Sequence, residues 1–93
     1  MFRIKLSADG IALHAGKRVA RNIEEEFRVH RTWYQDVSCT FVDGNLVLTG
    51  KNDCDPRGLA LTDEFSDCIC AYVSEDDRLP LDGGIQQLSV EHI

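Results

Sequence analysis

No apolar run in this chain approaches the roughly 18 residues that a membrane-spanning helix needs. The first ten residues, MFRIKLSADG, hold no continuous apolar segment. No signal peptide is read there, and a cytoplasmic location is the expectation. A membrane-peripheral position is compatible with the same reading. The chain has no glycine-rich phosphate loop, no nucleophile elbow and no paired-carboxylate motif. An acid, a base and a nucleophile cannot be assembled from its residues, so no enzyme activity is expected. It also lacks internal repeats and low-complexity tracts. Positive charge is scarce, with ten Lys+Arg against 16 Asp+Glu, a net charge of −6. Phosphate backbones need a basic surface, which argues against nucleic acid as the main partner.

The charge that is present is uneven. Residues 1–31 hold seven Lys+Arg and four Asp+Glu, whereas residues 32–93 hold three and twelve. A polarised domain can orient against a charged partner, although an ion-paired first helix explains the same bias. Ninety-three residues make one domain with a small core, expected as a monomer.

The clearest local signal is Val37 to Gly50, VSCTFVDGNLVLTG. Asp43-Gly44 is a two-residue hairpin turn, because a type I′ turn needs positive φ at both central positions. That turn sets Phe41 against Leu46, Cys39 against Leu48 and Val37 against Gly50. The large apolar side chains then share one face. Ser38, Thr40, Val42, Asn45, Val47 and Thr49 share the other. A slip of one residue would scramble this division, so the register is well specified. Phe41, beside the turn, is expected to touch both helices.

Before the hairpin, Phe2, Ile4 and Leu6 alternate with Arg3 and Lys5 as a short half-buried strand, at an edge if ordered. A helix follows from Lys17 to about Arg31. Val19, Ile23, Phe27 and His30, with Ala20, form its core stripe, while Lys17, Arg21, Glu24 and Arg28 face outward. Glu24, Glu25 and Glu26 point about 100° apart in turn and cannot converge on one ion. Trp33 and Tyr34 lie in the connector, where an adjacent aromatic pair caps a core end or offers a stacking surface. After the hairpin, Asp53 or Asp55 can cap a helix from about Pro56 to Val73. Its buried stripe is Leu61, Phe65, Cys68, Ile69 and Tyr72. Ser74 to Gly84 is an acidic loop bearing Glu75, Asp76, Asp77 and Asp82, expected to be mobile and open to a cation or a basic partner. The last strand is Ile85 to Ile93, with Leu88 and Val90 buried.

The expected fold is α+β: an αββαβ sandwich, a small three-stranded mixed sheet with two helices on one face, and an optional N-terminal strand. Residues 1–16 form an extension and residues 17–93 the domain. This order, the hairpin DGNLVLTG closed by Gly50, and Gly84-Ile85 leading into a last strand resemble the BON domain. The resemblance covers residues 17–93. It implies a bacterial module associated with envelope, osmotic-stress and secretion proteins. Such modules are non-catalytic and bind phospholipid, a small ligand or a protein. The chain departs from the family in its inserted acidic loop and in Val90 and His92 of the last strand.

The candidate partner surface is Thr40, Val42 and Val47 on the hairpin's second face, or the Trp33-Tyr34 corner. The alternative is a thiol-based redox or metal-responsive protein using Cys39, Cys54, Cys68 and Cys70. Reduced thiols are expected without a secretory signal. His14, His30 and His92 complete the candidate zinc donors. However, Cys68-x-Cys70 is not a zinc knuckle, and its thiols point roughly 160° apart on a helix. Cys54 precedes a helix but is flanked by Asp53 and Asp55, which oppose ionisation. The acidic stretches do not match a calcium loop. No metal and no cofactor is expected.

Overall fold

The computed structural model describes residues 1–79 and 84–93. Along the chain it forms β1 (Phe2–Ala8), α1 (Gly16–His30), β2 (Gln35–Val42), β3 (Asn45–Asn52), α2 (Leu59–Tyr72) and β4 (Ile85–His92). A 3-10 turn at Glu75–Asp77 follows α2. The fold is α+β. Both helices cover one face of a four-stranded sheet ordered β2-β3-β1-β4.

The optional N-terminal strand is formed, and it is an inner strand rather than an edge. Phe2 to Ala8 pairs antiparallel with β3 on one side and with β4 on the other. This placement changes the character of the sheet. Without β1, β3 and β4 would lie side by side and parallel, giving the expected mixed sheet. With β1 between them every pairing is antiparallel. The connectivity is the split β-α-β-β-α-β arrangement. Residues 1–16 therefore supply part of the sheet and the entry to α1.

The hairpin has the register its turn dictates. Asp43 and Gly44 have φ of 52° and 83°, both positive as type I′ requires. Phe41 pairs with Leu46 and Cys39 with Leu48. Val37 follows against Gly50, and a bulge at Asp36, φ 50°, then sets Gln35 opposite Lys51. Ile4, Leu6, Leu46 and Leu48 are fully buried beneath Val19, Ile23 and Phe27 of α1 and Leu61, Phe65 and Cys68 of α2. Phe41 is only half-buried, because β2 is an edge strand. Its ring lies on Gly16, where an added Cβ would collide with it. The same edge is guarded by α1: Glu24 Oε1 accepts the Cys39 backbone N–H at 3.0 Å.

Three boundary details differ from the sequence pattern. His30 is exposed, because α1 ends there and the chain turns away. Helix α2 starts at Leu59, three residues after Pro56. Asp55 still caps it, accepting the Ala60 and Leu61 amides at 3.3 and 3.0 Å across an intervening turn. Leu88 is 49% exposed, since a bulge in β4 pairs Gln87 rather than Leu88 with Leu6. Val90 remains packed against the core.

The α2 entry depends on Gly58, which has φ +70°. An added Cβ would lie 2.8 Å from Gln87 Nε2 and 3.1 Å from Ile4 Cγ2. Gly58→Ala is therefore expected to lower stability by about 1–2 kcal/mol, the ordinary penalty for a left-handed alanine. Urea denaturation checks it, and an unchanged midpoint would refute the strained entry.

Candidate binding face

The helices leave the other sheet face bare, and the strand register arranges it in rows. One row runs Glu91, Arg3, Lys51, Gln35 across β4, β1, β3 and β2. The next is Ser89, Lys5, Thr49, Ser38, and the third is Gln86, Ser7, Val47, Thr40. Val42 and Asn45 close the hairpin end. Thr40, Val42 and Val47 thus gather on this face, with Val42 51% exposed. The face grades from charged at one end, through hydroxyls, to apolar at the other. It carries no aromatic ring, histidine or cysteine.

Charges on the face are partly paired. Arg3 lies 3.6 Å from Glu91, and Lys51 lies 2.9 Å from Asp36. The hydrogen bond from Lys51 holds the Asp36 carboxyl below the ordinary range. Sequence patterning marked the hydroxyls and valines but missed Arg3, Lys5 and Lys51 as neighbours. Arg3 and Lys51 are 48 positions apart in the chain, and only the inner position of β1 brings them together.

The Trp33-Tyr34 corner lies in the helical layer, apart from this face. Tyr34 is buried and meets Phe27 edge to face at 5.6 Å. Its hydroxyl donates to Glu64 Oε2, and Trp33 Nε1 donates to the same oxygen at 3.3 Å. Arg31 binds Glu64 Oε1 at 2.7 Å and Glu26 Oε2 at 3.3 Å, and Tyr72 donates to Glu26 at 3.1 Å. The corner therefore joins α1 to α2. Tyr34 serves the core while the Trp33 ring is 58% exposed.

The acidic loop is tied down where it is described. The Asp77 carboxylate meets His14 at 3.0 Å, Arg18 at 2.6 Å and Ser74 Oγ at 3.1 Å. Its carbonyl accepts the Ala12 N–H at 2.7 Å, and the Leu79 N–H donates to Gly10 at 2.9 Å. Residues 74–79 are thus packed on the α1 entry, contrary to an open acidic loop. Glu75 and Asp76 are exposed, and Asp82 lies outside the described residues. Burial opposes ionisation of Asp77, but the hydrogen bonds from His14 and Ser74 and the charge of Arg18 outweigh it. The carboxyl is held below its ordinary 3.8. A depressed carboxylate stabilises above that ordinary value and loses its effect as pH falls through the lowered one. Asp77→Ala is expected to raise hydrogen exchange at the Ala12 and Leu79 amides several-fold at neutral pH, as acid does in the parent chain. Unchanged protection would refute the clasp.

The four cysteines do not form one site. All are free, with Cys39 and Cys68 buried and Cys54 and Cys70 exposed. Burial pushes the Cys39 thiol up to about 12, with the Glu24 charge adding to it. Burial likewise raises Cys68 to about 11. Among the described residues, no three His, Cys, Asp or Glu side chains converge as a metal set. A groove of about 400 Å³ runs between α2 and the turns flanking β1 and β4, beside Ile11, Asp63, Cys70 and Arg78. Asn52 is buried and its Oδ1 has no partner among the described residues, and the groove does not reach it. No helix among the described residues is long and apolar enough to cross a membrane. No family model, curated protein or solved structure matches the chain.

Proposed function

We propose that this chain is a non-catalytic binding module whose partner docks on the open sheet face. One observation carries the reading. Arg3 and Lys51 stand directly opposite each other on inner strands, with Lys5 in the adjacent row. Like charges opposed across strands are destabilising. A chain of net −6 nevertheless gathers three cations on this face, two of them offset at its flanks by Glu91 and Asp36 and Lys5 between them. Recognition of an anionic group accounts for that arrangement. The absence of aromatic rings argues against single-stranded nucleic acid, whose bases stack on such rings. The resemblance to BON domains agrees with a binding role, and no cofactor is needed for it.

Amide shift mapping tests the proposal. The titrants are inorganic phosphate, an acidic peptide, and vesicles of phosphatidylglycerol or phosphatidylcholine. Shifts are expected at Lys5, Thr40, Val47 and Thr49. Shifts confined to the Trp33 corner or to the outer face of α2 would overturn it. The thiol-based alternative predicts that serine at both Cys54 and Cys70 abolishes binding or a redox response. The binding-face reading predicts that this double variant behaves like the parent.

A further inference from the structure

We infer that Lys5 is the centre of an oxyanion site whose ligand is a small soluble phosphate ester. The inference rests on the open face being the docking surface and names what it recognises. Lys5 is exposed on an inner strand. Thr49 stands directly across from it on β3 and Ser89 directly across on β4. The next row along the strands brings Arg3 and Lys51, about 7 Å away at two residues of strand rise.

The two carboxylates on the face sit at its flanks. Glu91 on β4 pairs with Arg3, and Asp36 on β2 pairs with Lys51. Among the described residues, none lies within 4.0 Å of the Lys5 amine. The centre thus presents the Lys5 ammonium and two hydroxyls, with the ion-paired Arg3 and Lys51 in the next row. Lys and Arg can only donate, and Ser and Thr hydroxyls can also donate. Three donors side by side on one face match a phosphoryl group, which offers three strong acceptor oxygens.

The charge of the whole chain decides between small and large anions. A net −6 repels an extended polyanionic surface, which must sit close to the flanking acids as well as to the cations. A small ester lies within the roughly 8 Å screening length of Lys5, Arg3 and Lys51 and feels chiefly their field. The flat face buries little of such a ligand, so millimolar affinity is expected.

The test is an NMR titration of the full chain with inorganic phosphate and with glycerol 3-phosphate. Ionic strength is held constant, with chloride as the matched control. Saturable shifts are expected at Lys5, Thr49 and Ser89. Lys5→Gln should weaken them about tenfold, the loss expected for one charge-assisted contact. Its Tm should stay unchanged, since position 5 is exposed. Equal shifts with chloride, or shifts unaffected by Lys5→Gln, would overturn the site. Shifts of the same face with phosphatidylglycerol vesicles but not with either phosphate would overturn the small-ester ligand and leave the docking face standing. No response of this face to any titrant would remove both.

Discussion

Phe27→Ala is expected to lower stability by about 3–5 kcal/mol, the range for truncating a buried aromatic. Total stability for a domain of this kind is about 5–15 kcal/mol, so the variant would sit near the edge of folding. The expectation follows from position. Phe27 is fully buried on the core face of α1. The Tyr34 ring meets it edge to face, and the Arg31 guanidinium lies 5.6 Å over it. Removal opens a cavity and also strips the support from the residues that bind Glu64. Phe41→Ala serves as the internal comparison. Phe41 is half-buried at a sheet edge, and about 1–2 kcal/mol is expected for it. Chemical denaturation of both variants checks the order. A loss under about 1 kcal/mol at Phe27 would mean that the core is not centred beneath α1.

The residues that sequence placed correctly are those fixed by local rules. Asp43-Gly44 determines its own turn, and the turn sets the pairing of Phe41 and Cys39. The spacing of Val19, Ile23 and Phe27 turns one helix face inward without help from elsewhere. The misplacements come from partners distant in the chain. Phe2, Ile4 and Leu6 read as a strand, but nothing local says that two strands will flank it. Leu88 follows the alternation of β4 until a bulge shifts its phase, and a bulge leaves no mark in an apolar pattern. The acidic loop reads as unpacked because its carboxylates are counted together. Asp77 differs from Glu75 and Asp76 in facing Ser74 and, above all, His14 and Arg18, which lie 63 and 59 positions away.

The candidate face was legible in the same partial way. Hairpin alternation alone puts Thr40, Val42 and Val47 on the uncovered side. The cations that give the face its chemical character arrive with β1 and the end of β3. Their proximity exists only once the sheet is assembled, so composition reported the chain as acidic and hid them. The Trp33-Tyr34 pair illustrates the converse. Adjacent in sequence, the two are divided by the fold into one exposed ring and one buried ring.

Glu64→Ala is expected to lower stability by about 2–3 kcal/mol, through loss of several hydrogen bonds to one charge. The Glu64 carboxylate accepts from Arg31, Trp33 and Tyr34, and its side chain is 19% exposed. Truncation leaves Arg31 with Glu26 alone and strands the buried Tyr34 hydroxyl. Glu64→Gln keeps the volume and should lose about half as much. Tyr34→Phe in the Glu64→Gln background should then cost less than in the parent, because the two residues share one interaction. The same contact makes a pH prediction. Burial first, and then the hydrogen bond to Glu64, raise the Tyr34 phenol above its ordinary 10.0. A raised phenol contributes fully below the ordinary value. Above it the unfolded chain ionises while the folded one stays neutral, so stability falls as pH rises. Cys39 and Cys68 are raised by burial as well and add to the alkaline loss. Comparison with Tyr34→Phe isolates the tyrosine: its stability should decline less steeply above about pH 10. Parallel alkaline slopes for the two proteins would mean that the Tyr34 phenol is not raised in the folded chain.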